Sequence, residues 1–473
     1  MNISHHMEFP MLAVCLFSVF YTISILWKIV LQWRSSDRTC YMLAYECFKP
    51  ADFQKVDVHS SAEIILRNKN LGLEDYRFML KTMASSGLGE ETYGPKTVMA
   101  GREQCPTLSD AFSEMDEIIF GTLDKLFART QIPPSEISIL IVNVALFAPS
   151  PSLTSRIVNR YKMKEDIKSF NLSGMGCSAS IIAVEVVQNL FVTYKNSYAI
   201  VVSTECMGTN WYCGKERSMM ISNILFRSGG CSMLFTNKKA LKHRSILKLN
   251  CLVRTHTGSD DEAYNCCIEV EDEEGYKGFH LSKNLTKVAA KALTSNLKVL
   301  LPKILPLSEQ LRYMILLARN KIRIISSSKT ENARIDLNIK SGIDHFCVHP
   351  GSRGVIDGIG KSLKLSEYDL EPSRMALHRF GNTSSGGFWY ALGYMEAKKR
   401  LKKGDKILMI GLGAGFKCNN CVWEVTRDLD DVNVWRDCID SYPRSSGVNP
   451  FKETYGWINE EYLNFVRFDP TSF

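Results

Sequence analysis

Between residues 178 and 192 the chain reads Ser-Ala-Ser-Ile-Ile-Ala-Val-Glu-Val-Val-Gln-Asn-Leu-Phe-Val, apolar except for two serines, Glu185, Gln188 and Asn189. A helix that is apolar on nearly every face cannot lie on a surface, so the fold has to enclose it. The run before it, Asn171-Leu-Ser-Gly-Met-Gly-Cys177, sets a cysteine at the helix N-terminus. The helix dipole there favours a thiolate and is expected to lower the thiol from its usual pKa of ~8.5 into a reactive range. Gly174 and Gly176 permit a sharp turn and close approach of a ligand to the sulfur. A small core cysteine at a tight turn is the other reading, and this stretch by itself favours neither.

The remaining pattern indicates what surrounds that helix. Strand-like runs at 137–147, 198–204, 231–236, 345–349 and 406–411 alternate with apolar or amphipathic stretches such as 178–192 and 387–402. That alternation predicts an α/β architecture with a largely buried sheet. The acidic segment 260–274 separates a first half from a second, with no sequence repeat joining them. The expected organisation is 1–33, 34–250, 251–428 and a C-terminal tail at 429–473. With 473 residues, 45% hydrophobic and 23% charged, disordered, collagen-like and coiled-coil classes are excluded.

No charge occurs from residue 9 to 27, and after Lys28 the apolar run resumes as far as Trp33. About 22 residues at ~1.5 Å each give about 33 Å, enough to cross a hydrocarbon core of ~30 Å, so 1–33 is expected to be a transmembrane anchor. The start at Asn2, His5, His6 and Glu8 does not suit a cleaved signal peptide. Lys28, Arg34 and Arg38 all lie on the C-terminal flank, which orients residues 34–473 to the cytosol.

Fifteen cysteines without regular spacing fit a reducing compartment, and neither Cys418/Cys421 nor Cys266/Cys267 has a second pair at zinc spacing, so no metal is expected. A net charge of +8 without aromatic-basic arrays does not indicate nucleic acid. Residues 286–340 hold eleven Lys or Arg against three Asp or Glu. They form either a basic amphipathic surface near the cytoplasmic leaflet or a solvated helix face.

Two later segments end apolar runs with polar side chains beside Gly or Pro: His345-Phe-Cys-Val-His349-Pro-Gly-Ser-Arg353 and Leu377-His378-Arg379-Phe380-Gly381-Asn382-Thr-Ser-Ser-Gly-Gly387. Such side chains can project into a pocket or satisfy a structural role. Together with the Cys177 segment, Asn210-Trp-Tyr212, Arg217-Ser-Met219, Leu225-Phe-Arg227 and Gly411-Leu-Gly-Ala-Gly-Phe-Lys-Cys418, they resemble the plant membrane-bound 3-ketoacyl-CoA synthases from about Tyr41 to Val425.

The resemblance implies a thiolase-like fold of two similar α/β halves with buried sheets and a central helix layer, and a catalytic set of Cys177, His349 and Asn382. Cys177 would take an acyl group from a long-chain acyl-CoA as a thioester. His349 and Asn382 would donate to the enolate formed as malonyl-CoA loses CO2. Backbone N–H groups of Cys177 and of Gly413 or Ala414 would hold the other oxyanion. His378, His345, His256 and His280 are expected to act as hydrogen-bonding neighbours. No bound cofactor is implied.

Location in the endoplasmic reticulum membrane, contact with elongase reductases and a dehydratase, and a homodimer are also implied. The chain departs from the family pattern at Ser180, at Pro350-Gly-Ser352, at Gly386-Gly387 and in having one apolar span instead of two. These departures keep open a weakly active homologue acting as a subunit or scaffold of an elongase complex. A cysteine hydrolase using His349 as base is a third reading. A degradative thiolase fits less well, because Cys418 and Cys421 follow the late glycine loop instead of preceding it.

Overall fold

The computed structural model describes residues 39–326, 338–444 and 450–455; the expected anchor at 1–33 and the end of the expected tail lie outside the described residues. Among the described residues, no helix is long and apolar enough to cross a membrane.

Nine strands form one mixed sheet: β1 (Tyr41–Cys47), β2 (Ile137–Asn143), β3 (Lys168–Leu172), β4 (Tyr198–Thr204), β5 (Gly230–Thr236), β6 (Leu247–His256), β7 (His345–Val348), β8 (Lys406–Gly413) and β9 (Lys417–Val425). Their spatial order is β7-β8-β9-β6-β1-β5-β4-β2-β3. Outward from the antiparallel β1–β6 seam, β1-β5-β4-β2 and β6-β9-β8-β7 repeat the same chain order and the same succession of antiparallel, antiparallel and parallel pairings. The two halves are therefore alike in topology although no sequence repeat links them. The expected boundary at 250 falls inside β6, which by its pairing opens the second half.

Period-two alternation along the strands sorts side chains into separate cores. Ile139, Ile141, Ala199, Val201, Met409 and Trp423 face a shared central core. Their neighbours Leu140, Val142, Ile200 and Val202 turn outward to helix Leu108–Thr130, while Leu408, Ile410 and Val422 turn to helix Leu285–Ile304. The central core is filled by helices Ala179–Thr193 and Gly387–Ala397, each touching strands of both halves. All of Gly387–Ala397 is buried. The enclosure expected for the first helix holds for Ala179 to Val184, Val187 and Phe191, while Glu185 reaches a partly open edge and pairs with Arg254 at 2.5 Å.

Several expected bounds shift for local reasons. The strand expected over 137–147 ends at Asn143, because the N–H groups of Ala145 and Leu146 turn to the Glu205 carboxylate at 3.2 and 2.8 Å. The helix expected to reach 402 stops at Ala397, with Lys399 at φ 56°. The expected tail begins as core: Trp435 is fully buried, donates Nε1–H to the Tyr390 carbonyl at 2.9 Å and lies 5.1 Å from the Phe380 ring.

Candidate active site

Cys177 lies two residues before helix Ala179–Thr193, in a turn closed by the Ala179 N–H donating to the Gly176 carbonyl at 3.0 Å. Gly174 and Gly176 hold φ of 65° and 71°. A Cβ on Gly176 would stand 2.4 Å from the Ala414 nitrogen, and one on Gly413 would stand 3.3 Å from the Cys177 nitrogen. Glycine at both places lets the Cys177 turn and the β8–β9 turn pack backbone against backbone, which juxtaposes the amides expected to form an oxyanion hole.

The pocket over Cys177 is lined by Glu205, Phe226, His256, Phe279 and Ser384. The acidic segment 260–274, expected only to separate halves, and the strand Lys277–Leu281 after it build one wall: helix Asp261–Tyr264 and strand Cys267–Glu271 contribute Tyr264 and Cys267, and the paired strand contributes Phe279.

His349 follows β7, its backbone N–H bonded to the Ile410 carbonyl at 2.9 Å, and the residue is 3% exposed. Burial pushes its pKa down to about 4, so the imidazole is neutral at pH 7, and its Nδ1 has no hydrogen-bond partner. Asn382 follows helix Glu367–Phe380 through Gly381 at φ 69°. Its backbone is clamped between Leu225 and Arg227, accepting from the Arg227 N–H at 2.9 Å and donating to the Leu225 carbonyl at 3.1 Å.

The Asn382 side-chain oxygen accepts the Ser384 N–H at 2.9 Å, which fixes the amide so that Nδ2 donates to the Gly351 carbonyl at 3.1 Å. At Gly351, a Cβ would lie 3.0 Å from His349 Nε2 and 3.9 Å from Asn382 Nδ2. The imidazole and the carboxamide thus converge on one glycine. Ser384 completes the chain of contacts, its Oγ 3.8 Å from Cys177 Sγ.

One expectation is corrected. The helix terminus was to lower the Cys177 thiol, yet burial pushes it up to about 12, opposed by the Ser384 hydroxyl and reinforced by the Glu205 carboxylate. Desolvation of a thiolate outweighs the helix terminus in this pocket.

The other histidines separate. His256 lines the pocket, its Nδ1 accepting the Gly258 N–H at 3.1 Å. His280 pairs with the Ser218 hydroxyl at 2.9 Å. His345, at the opposite end of β7 from His349, bonds Asp405 at 2.9 Å. His378 bonds the Tyr442 hydroxyl at 2.8 Å. None of these last three is among the residues lining the Cys177 pocket.

Glu205 and Ser384 escaped the sequence reading. The signal available was Ser203-Thr-Glu-Cys206, an acidic residue directly after an apolar strand.

Comparison with known proteins places this chain in a family. The model described as FAE1/Type III polyketide synthase-like protein matches residues 32–322, and that described as 3-Oxoacyl-[acyl-carrier-protein (ACP)] synthase III C terminal matches 337–425. The C-terminal type III polyketide synthase domain of Steely1 from Dictyostelium superposes with a TM-score of 0.64 at 13% identity, over 82% of this chain and 99% of that one. That likeness shows the fold, which is thiolase-like. Three Arabidopsis thaliana relatives are much nearer in sequence. 3-Ketoacyl-CoA synthase 19 is 60% identical over 95% of this chain and 97% of its own, 3-ketoacyl-CoA synthase 3 is 53% identical over 94% and 95%, and 3-ketoacyl-CoA synthase 12 is 52% identical over 92% and 94%. With identity this high over almost its whole length, the chain belongs to the 3-ketoacyl-CoA synthase family.

Proposed function

We propose that this protein joins a long-chain acyl-CoA to malonyl-CoA, releasing CO2 and CoA and giving a 3-ketoacyl-CoA two carbons longer. The observation that carries the reading is the convergence of His349 and Asn382 on Gly351, with Asn382 linked through Ser384 to the Cys177 sulfur.

Cys177 attacks the acyl-CoA carbonyl and keeps the acyl group as a thioester, dividing one difficult condensation into two easier steps. The oxyanion of that step meets the N–H groups of Cys177 and Ala414, where loss of one donor typically costs ~3 kcal/mol. The second oxygen to develop charge is the malonyl thioester carbonyl as CO2 departs. Neutral His349 offers an imidazole N–H, and Asn382 Nδ2 retains a second hydrogen beyond the one given to Gly351. The resulting carbanion attacks the Cys177 thioester. An apolar cavity lined by Ile64, Met79, Met83, Met220 and Ile224 lies behind segment 224–227, whose Phe226 faces the catalytic pocket.

The uncharged N-terminal run supports tethering to the endoplasmic reticulum membrane with the catalytic part in the cytosol, where long acyl chains partition and effective concentration rises. Partnership with elongase reductases and a dehydratase follows from the product's chemistry, and a homodimer from analogy with the fold. The reaction as written uses no bound cofactor.

Expression of the full chain in a host with simple lipids, followed by mass spectrometry of its acyl chains, tests this reading. Longer chains that vanish with Cys177→Ala support it. Unchanged chains from a well-expressed protein favour the weakly active scaffold and overturn the enzyme.

A further inference from the structure

Glu205 is 3% exposed, yet it lines the Cys177 pocket. Its Oε1 accepts the N–H groups of Leu146 at 2.8 Å and Cys206 at 3.3 Å, and its Oε2 accepts that of Ala145 at 3.2 Å. These three backbone donors hold the carboxyl rigid. The remaining contact of Oε2 is the Ser384 hydroxyl at 3.2 Å, and the same hydroxyl oxygen lies 3.8 Å from Cys177 Sγ. Ser384 holds φ of 52°, a left-handed backbone unusual for a residue with a side chain. Such strain persists only where the surroundings enforce it, and here it sets the hydroxyl between sulfur and carboxylate.

A hydroxyl has one proton to donate and two lone pairs to accept. It can donate to only one of Cys177 and Glu205 at a time, and donating to the carboxylate leaves its lone pairs open to the thiol proton. We propose that Glu205 is a positioning residue that takes the Cys177 proton through the Ser384 hydroxyl during acylation, an inference that rests on the function proposed above. The S–H proton passes to Ser384 Oγ as the hydroxyl proton passes to Glu205 Oε2. The electron pair stays on sulfur and forms the new bond to the acyl carbon, and the proton held by Glu205 then serves the departing CoA sulfur.

Two further observations agree. Burial raises Glu205 to about 7, which makes it a better proton acceptor near neutrality than an ordinary carboxylate. His349, pushed down to about 4, is a poorer one. The ionisable groups facing Glu205 are Glu114 on helix Leu108–Thr130, which is itself raised to about 7, and the thiols of Cys206 and Cys177.

The test is alkylation of Cys177 in the full-length protein by iodoacetamide, followed from pH 5.5 to 9 by mass spectrometry of its peptide. Wild type should show an inflection near pH 7. Glu205→Gln should lose that inflection and react at least tenfold more slowly at pH 7.5. Ser384→Ala should match it, and the double variant should be no slower than about twofold below either. A purely electrostatic Glu205 predicts the opposite sign, because removing a neighbouring negative charge favours the thiolate. Equal or faster alkylation in folded Glu205→Gln overturns the proposal, and if that variant misfolds, a wild-type profile in Ser384→Ala does so. Alkylation needs no acyl-CoA, so failure of this relay and failure of the condensation reading are read out separately.

Discussion

Asn382 Nδ2 donates to the Gly351 carbonyl at 3.1 Å, tying the loop after the last buried helix turn of one segment to the loop that follows His349. The bond depends on a carboxamide whose oxygen is already committed to the Ser384 N–H.

Asn382→Asp keeps the shape and removes the donor. An Asp oxygen facing the Gly351 carbonyl repels it, and the enolate loses one hydrogen bond. Malonyl-dependent condensation should fall at least a hundredfold, corresponding to ~3 kcal/mol. Single-turnover acylation of Cys177, followed by intact-protein mass spectrometry, should fall less than tenfold. Equal loss in both steps would remove Asn382 from the enolate.

Gly174 and Gly176 share a left-handed backbone but not surroundings. Alanine at 174 meets nothing within 4 Å and should cost only the conformational penalty of about 1 kcal/mol. Alanine at 176 drives its Cβ to 2.4 Å from the Ala414 nitrogen and must displace the β8–β9 turn proposed to hold the oxyanion. Acyl-enzyme formation should survive Gly174→Ala and be lost in Gly176→Ala, and a reversed ranking would separate that turn from acylation.

Glu396 is buried beside the Tyr45 hydroxyl, and burial raises it from 4.5 to about 7. The folded state therefore favours its protonated form. The stability this provides is full below pH 4.5 and lost as pH rises through about 7. A rise of this size corresponds to about 3 kcal/mol. Glu396→Gln retains a neutral acceptor for Tyr45 and should lose stability less steeply than wild type between pH 4.5 and 8 in urea unfolding. Parallel curves would show that Glu396 does not titrate in this window.

Trp435 closes the central core from the segment after β9, with Tyr394 and Tyr442 rings 5.0 and 5.2 Å away. Trp435→Ala should destabilise by about 3–5 kcal/mol, measured by chemical denaturation, and truncation after residue 428 should abolish soluble folded protein. A stable protein ending at 428 would show that the sheet and its helices suffice alone.

Much of the fold was legible because its cues are local. The run Tyr198–Thr204 reads as a strand and is one over those same residues, since Ala-Ile-Val-Val flanked by Tyr198 and by Ser203 and Thr204 is a short apolar, β-branched stretch with few other places to go. The strands β1, β3, β6 and β9 were not foreseen. β9 carries buried Asn419 and Asn420, whose amides are satisfied by Ser178 at 2.8 Å and Asn296 at 2.9 Å. Polar residues in a strand look like a loop until such distant partners are known.

What the sequence determined by itself was the apolar helix that had to be enclosed, a glycine turn with Cys177 before it, and His349 and Asn382 where apolar runs end. Tertiary structure alone decided the ionisation of the sulfur, the placing of Glu205 behind Ser384, the use of an acidic segment as a pocket wall, and which histidine lines the pocket. Chain pattern reports neighbours a few positions away, whereas desolvation and hydrogen bonding are set by groups that folding brings together. The Ser384 hydroxyl beside Cys177 is 207 positions distant along the chain.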